Sequence, residues 1–263
     1  MLKSKRALTV VIAAGLFVGA MALVISCSTT AFVVAPLEIP GAHFVGNQAC
    51  ADCHADIVHK FPMSAHSRIH PENSAMPGQS GCESCHGPGS EHIRTGGAAK
   101  FIINPGKTPE SCFQCHLDVH AEFTLPQHHP VMEGHMNCVD CHDPHGGDIM
   151  KPAGGLAMAQ QNQSCAECHK AQTRPFVFAH EALREGCTVC HNPHGSINQK
   201  LLVENDPNLC LRCHAQVQGP NVAAGHLYIG NTDHTAFLQV GTCWTAGCHT
   251  AIHGSNVDPR LRY

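Results

Sequence analysis

Glu185-Gly186-Cys187-Thr188-Val189-Cys190-His191-Asn192-Pro193-His194-Gly195 holds two cysteines, a histidine directly after the second, and another histidine three residues on. In Cys-x-x-Cys-His two thiols can bond covalently to the edge of a haem while the adjacent imidazole reaches the iron from the same side. The pattern recurs along the chain as Cys50-Ala51-Asp52-Cys53-His54, Cys82-Glu83-Ser84-Cys85-His86, Cys112-Phe113-Gln114-Cys115-His116 and Cys138-Val139-Asp140-Cys141-His142. It continues as Cys165-Ala166-Glu167-Cys168-His169 and Cys210-Leu211-Arg212-Cys213-His214. A final form, Cys243-Trp244-Thr245-Ala246-Gly247-Cys248-His249, has four residues between its cysteines and keeps the histidine directly after. Zinc ribbons and disulfide frameworks also use paired cysteines, but neither requires a histidine after every second one. The eight motifs therefore point to eight covalently held c-type haems, with their irons.

The composition agrees. Among 263 residues there are 17 cysteines and 23 histidines, while aromatic residues make up only 5% and charged residues 14%. With 24 glycines, 17 prolines and one tryptophan, the chain has few large side chains from which to build a core. A chain of this kind gains stability from cofactors or crosslinks. A formal net charge of −4 gives no basic surface for nucleic acid.

The motifs fall into pairs. The first member of each pair follows a short polar segment: Gly46-Asn47-Gln48-Ala49, Thr108-Pro109-Glu110-Ser111, Gln161-Asn162-Gln163-Ser164 and Asp206-Pro207-Asn208-Leu209. The second member lies between two further histidines: His66 and His92, His129 and His145, His180 and His194, His234 and His253. Asp143-Pro144-His145-Gly146, Asn192-Pro193-His194-Gly195 and Ala251-Ile252-His253-Gly254 set the register. The repeat predicts four dihaem modules over about 46–107, 108–160, 161–205 and 206–263. The fold expected is mainly irregular, with short α-helices carrying the motifs, little or no β-structure, and an extended form organised around a row of haems. Ala179–Arg184 reads as a helical turn carrying His180. Gly and Pro breaks are too frequent for longer elements.

A six-coordinate iron needs two axial ligands. The motif histidines His54, His86, His116, His142, His169, His191, His214 and His249 supply one each. The repeat selects eight more, His66, His92, His129, His145, His180, His194, His234 and His253, which matches the number of irons. His128 competes with His129, and His59 and His70 lie near His66. His43, His120, His135 and His226 fall outside the register and read as surface or propionate-bonding residues. Met63, Met132 and Met136 do not recur in register, so packing is their reading. The sequence leaves open which distal histidine serves which haem. Saturated irons leave no position for substrate, and no motif replaces its histidine by lysine. Tyr228 and Tyr263 are the only tyrosines, which speaks against a tyrosine-modified catalytic haem. The chemistry expected is one-electron Fe(III)/Fe(II) cycling, with no catalytic residue.

Lys3, Lys5 and Arg6 precede an uncharged, mostly apolar run from Ala7 to Ile25, which reads as an export signal over residues 1–26. Val24-Ile25-Ser26-Cys27 resembles a bacterial lipoprotein cleavage box, which would make Cys27 the lipidated first residue and explains the one cysteine outside every motif. An uncleaved anchor and an ordinary cleaved signal are the other readings, and all three put the remainder outside the cytoplasm. Residues 27–45, with Pro36 and Pro40, read as a tether.

Gly81-Cys82-Glu83-Ser84-Cys85-His86-Gly87-Pro88-Gly89-Ser90-Glu91-His92, Cys190-His191-Asn192-Pro193-His194-Gly195-Ser196 and Ala251-Ile252-His253-Gly254-Ser255 resemble the DmsE/MtrA-type multihaem c-type cytochromes with doubled Cys-x-x-Cys-His motifs. The resemblance covers residues 46–257. It implies a periplasmic electron wire that docks into an outer-membrane β-barrel porin and exchanges electrons with other cytochromes. Most of that family carry ten haems; eight resembles the shorter porin–cytochrome conduits of metal-reducing bacteria. Electron transfer across the periplasm and outer membrane towards extracellular acceptors such as metal oxides is the function expected. A multihaem reductase of nitrogen or sulfur oxyanions and a subunit of an extracellular cytochrome filament are the alternatives.

Overall fold

A computed structural model describes residues 37–68, 81–146, 155–214 and 225–263. The export signal, Cys27 and His70 lie outside the described residues. The chain is mostly irregular. Among the described residues the α-helices are α1 Asn47–Lys60, α2 Glu83–His86, α3 Ser90–Arg94, α4 Glu110–Phe113, α5 Leu117–Phe123, α6 Gly155–Cys168, α7 Lys170–Thr173 and α8 Asp206–His214. The strands are β1 Phe178–Ala179, β2 Tyr228–Ile229, β3 Thr232–Asp233 and β4 Gly254–Ser255, two residues each. β1 pairs antiparallel with β4 and β2 with β3. Among the described residues no helix is long and apolar enough to cross a membrane.

The first motif of each module sits on helix. His54, His116 and His169 all break the helical path, with φ/ψ of −115/40°, −93/60° and −88/49°. Each histidine thus ends the turn holding its cysteines and starts a new helical segment. Two of the second motifs sit instead on 3-10 turns, Cys138–Asp140 and Cys187–Val189. His180 differs from its expected place. It is extended, φ −77° and ψ 119°, and the 3-10 turn begins one residue later at Glu181. Its neighbours Phe178 and Ala179 pair with Ser255 and Gly254, and that pairing holds the backbone open.

Apolar packing is slight. Phe113, Phe123 and Val131 are buried together, with Val119 and Met136 against them. Buried polar side chains are more numerous: Ser64, Glu83, Ser90, Gln161, Ser196, Asp206 and Ser255. Several do the work that apolar bulk does elsewhere, because a buried polar group is tolerated when it is hydrogen-bonded. The Ser64 hydroxyl donates to the Pro144 carbonyl at 2.5 Å, and the Ser196 hydroxyl to that of Leu202 at 2.5 Å. Glu83 accepts from the Val45, Gly46 and Gly89 N–H groups at 2.8–3.2 Å, and Ser90 from that of His43. This explains the distinct ending of the first module: Gly87-Pro88-Gly89-Ser90 is folded against residues 43–46. Apolar side chains next to the motifs, Ile57, Leu117, Val139 and Val189, face solvent. A haem bound at the adjoining thiols would cover such surface.

Candidate haem sites

Six of the motifs close on themselves in the same way. The N–H of the histidine donates to the carbonyl of the first cysteine in the Cys82, Cys112, Cys138, Cys165 and Cys187 motifs, at 2.9–3.0 Å. In the longer motif the His249 N–H donates to the Cys243 carbonyl at 3.0 Å. The two extra residues are absorbed in a turn with Gly247 at φ 75°, so histidine and first cysteine keep the same relation. No disulfide joins any of the sixteen motif cysteines, so each has a thiol for a thioether bond.

The thiols also report the order of the motifs in space. Interaction between the neighbouring Cys112 and Cys138 thiols pushes the first up and draws Cys138 down to about 7. Cys165 and Cys187 behave likewise, with Cys187 drawn down to about 7. Burial and then the neighbouring Cys82 raise Cys50 to about 11; burial and Cys243 raise Cys210 to about 12. Between pairs, burial and then Cys85 raise Cys115, burial and Cys165 raise Cys141, and burial and Cys213 raise Cys190. Thioether bonds would abolish these ionisations. What remains is that each motif but the last has an attachment thiol near one of the next motif.

The histidine rings form a second pattern. His54 faces His92, His116 faces His66, His86 faces His145, His169 faces His129, His142 faces His194, His214 faces His180 and His191 faces His253. Every pair joins one motif histidine to one flanking histidine, with centroids 5.9–6.3 Å apart. A metal–imidazole bond is about 2 Å long, and the ring centroid lies about one ångström behind the nitrogen. Two imidazoles on opposite sides of one iron therefore have centroids about 6 Å apart. The gap in each pair fits a haem iron, and the interplanar angles of 10–80° are rotations that axial ligation leaves free. His234 is not brought opposite His249 among the described residues. Its ring lies edge-on to Phe237, 5.9 Å away.

The back of several of these rings is also held. Nδ1 of His86, His92, His129, His191, His234 and His249 meets the backbone carbonyl of Ile103, Ala98, Pro193, Lys200, Thr232 and Arg260, at 2.6–3.2 Å. A proton fixed on Nδ1 leaves Nε2 as the free lone pair, as in most metal-bound histidines. At His194, Nδ1 instead meets a carboxylate oxygen of Glu122 at 3.0 Å. Burial holds His145, His180 and His253 below the usual histidine range, favouring the neutral ring that binds metal. His128 is different. Its Nδ1 meets the Leu125 carbonyl at 2.6 Å and its Nε2 meets Glu133 at 2.9 Å, so neither nitrogen is spare. That separates it from its neighbour His129. His120 stacks on Phe113, and His226 bonds Asp233. Met136 packs on the small core, whereas Met63 and Met132 are exposed.

Local chemistry aims these histidines. Asp143 Oδ1 accepts from the His145 N–H and Asn192 Oδ1 from the His194 N–H, an Asx turn that makes Asp/Asn-Pro-His a rigid unit. The following glycine permits a close approach: a Cβ on Gly195 would lie 1.9 Å from the Glu122 carbonyl oxygen. The polar segments ahead of the first motifs have a role the sequence did not disclose. Asn47 Oδ1 accepts from the Cys82 N–H at 2.9 Å, and Asn162 Oδ1 from the Cys187 N–H at 3.0 Å. Asp206 accepts from the Trp244 and Thr245 N–H groups at 2.9 and 3.0 Å. In these three modules a side chain from the first motif's helix clamps the start of the second. The recurrence of Asn three residues before the cysteine, at 47 and 162, was the available signal. Glu122 had none.

Residues 128–174 and 180–219 match the family model described as doubled CXXCH motif. Over 220 residues the chain is 31% identical to "Multiheme cytochrome MtrA" of Shewanella baltica (strain OS185), an alignment covering 80% of this chain and 58% of that protein. The chain thus spans somewhat over half the length of that relative. With repeated haem-attachment motifs, axial-type histidine pairs and this kinship over most of its length, the chain belongs to the MtrA-type multihaem c-type cytochromes.

Proposed function

We infer that the chain is an octahaem electron-transfer protein, carrying electrons across the bacterial periplasm and outer membrane towards extracellular acceptors such as metal oxides. The observation that carries this is the unbroken order of attachment thiols, each motif beside the last. Haems bound in that order would stand in one row, at about 30 residues of chain each. The haem supplies one-electron Fe(III)/Fe(II) chemistry. The protein's part is to hold neutral imidazoles on opposite sides of each gap and to exclude substrate from the iron. Low potentials follow from bis-histidine ligation and partial exposure. Donor and acceptor are other cytochromes, with an outer-membrane β-barrel porin as the housing and a lipid at Cys27 as the tether.

The test uses the haem-loaded chain from a detergent extract of the native host. Co-purification with a porin and oxidation of the reduced protein by ferric oxide are expected. Steady turnover of nitrite, hydroxylamine or tetrathionate by the purified chain would instead make it a reductase.

A further inference from the structure

Behind the second motifs of the last three modules stand turns of the same make. Each has a ligand-type histidine, His145, His194 or His253, followed by a glycine, Gly146, Gly195 or Gly254. Each turn is gripped by the segment ahead of the second motif in the preceding module. Ser64 donates to the Pro144 carbonyl, Gln127 pairs with Ser196, and β1 pairs with β4. The residue that closes on the glycine differs at each joint. It is Lys60 against Gly146, Glu122 against Gly195 and Phe176 against Gly254. Three equivalent places, beside three equivalent ligands, thus hold a cation, a carboxylate and an aromatic ring.

Two of the three leave their ligand without a net carboxylate. At the first joint Lys60 Nζ meets Asp143 Oδ2 at 2.5 Å, while Asp143 Oδ1 accepts from the His145 N–H, so the two charges are paired. At the third, Phe176 is neutral and the Arg174 guanidinium lies over its ring, 5.2 Å from the centroid. At the second joint the carboxylate goes to the ligand itself. Glu122 Oε2 is 3.0 Å from His194 Nδ1, and the Phe123 ring, 5.4 Å from the imidazole, flanks it. Six other histidines of the haem set rest Nδ1 on a neutral backbone carbonyl.

The difference bears on the iron. A carboxylate that accepts the Nδ1 proton makes the imidazole a stronger donor through Nε2. Fe(III) carries one positive charge more than Fe(II), so an electron-rich ligand and a nearby anion favour the oxidised form and lower the potential. The His194 and Glu122 side chains are 29% and 39% exposed, so water screens part of the through-space effect, whereas the hydrogen bond acts through the ring.

We propose that Glu122 is a potential-setting residue: it makes the haem of Cys138, Cys141 and His142 the lowest in potential of the three served by His145, His194 and His253. The step concerned is a one-electron change between Fe(III) and Fe(II), with the haems on either side as donor and acceptor and no bond made or broken. The Cys138 motif is the fourth of eight, so its haem is an uphill step near the middle of the row for electrons arriving from either side. The inference rests on the electron-transfer reading with bis-histidine irons.

The experiment titrates the haem-loaded 263-residue protein with dithionite and follows the low-spin ferric signals by low-temperature electron paramagnetic resonance. His145→Ala, His194→Ala and His253→Ala should each remove one low-spin signal, which assigns the three. A His194→Ala variant that loses none shows that the ligand reading has failed at that iron, and the proposal with it, before any potential is read. With the signals assigned, that of the His194 haem should be the last of the three to vanish on reduction. Glu122→Gln, of the same size and reach, should shift the g values of that signal and raise its midpoint potential towards the other two, which stay. Glu122→Asp keeps the charge and should lie closer to the wild type. An unmoved His194 signal in Glu122→Gln, or its loss ahead of the other two in the wild type, would overturn the proposal. So would a lowered melting midpoint with an unchanged potential, which makes Glu122 a structural contact only.

Discussion

Gly195→Ala tests whether the joint between modules aims a ligand. A Cβ at this position would lie 1.9 Å from the Glu122 carbonyl oxygen and 2.7 Å from its carbon. Both are backbone atoms of α5, so no side-chain rotation relieves the overlap. The 194–196 segment must withdraw by more than an ångström. That breaks the Gln127–Ser196 bridge, whose two hydrogen bonds are 2.8 and 3.1 Å long. It also carries His194 away from His142. Overpacking costs about 1–3 kcal/mol and each lost hydrogen bond about 1 kcal/mol, so about 2–4 kcal/mol follows once part of the strain relaxes. For a chain of this size the melting midpoint should fall by roughly 5–15 °C. The same variant should convert one haem, that of Cys138 and Cys141, from low to high spin in the low-temperature electron paramagnetic resonance spectrum. An unchanged midpoint with all-low-spin iron would refute the assignment of the glycine as the hinge of this ligand.

Glu122→Gln replaces the carboxylate beside His194 Nδ1 by a neutral amide, which donates less electron density through the ring; one haem potential should rise in a spectroelectrochemical titration while the others stay. Asn162→Ala removes the acceptor of the Cys187 N–H and the donor to the Leu183 carbonyl, costing about 1–3 kcal/mol in thermal or denaturant unfolding; the exposed Asn256→Ala should cost less. The Thr235 side chain and backbone, then His226, hold Asp233 down to about 2. A depressed carboxyl stabilises the fold above its unfolded value near 3.8, and that contribution is lost as pH falls through about 2. Amide signals of the β2–β3 hairpin should therefore weaken between about pH 4 and 2. Glu133 raises His128 above its ordinary value of 6.5, so its contribution is full below that value and disappears as pH climbs through the raised one; His128→Gln should flatten stability there.

Much of the site could be read in the chain because haem attachment is local. Two thiols and a histidine must share one turn, and the closing hydrogen bond from histidine to first cysteine survives even the longer Cys243 motif. The turns that carry His145 and His194 were also legible, because Asp/Asn-Pro-His-Gly is a local turn that repeats. Their partners were not. His145 meets His86, and His194 meets His142, across module boundaries, and neither spacing nor periodicity states which module supplies a ring. Adjacent His128 and His129 looked alike until hydrogen bonds occupied both nitrogens of the first. His180 was misplaced onto a helical turn because the strand that extends it pairs with residues near the C-terminus. Asn47 and Asn162 stood in a visible repeat, but their acceptor role depends on a second motif 25–35 residues away.

The central claim is that seven of the irons are each held by a motif histidine and the flanking histidine that faces it, mostly from neighbouring modules. An iron anomalous map from crystals of the haem-loaded chain tests it most directly. Iron should lie midway between His129 and His169, between His142 and His194, and between the rings of the other facing pairs. Irons ligated within one module, with His142 bound opposite His129 or His145, would contradict it.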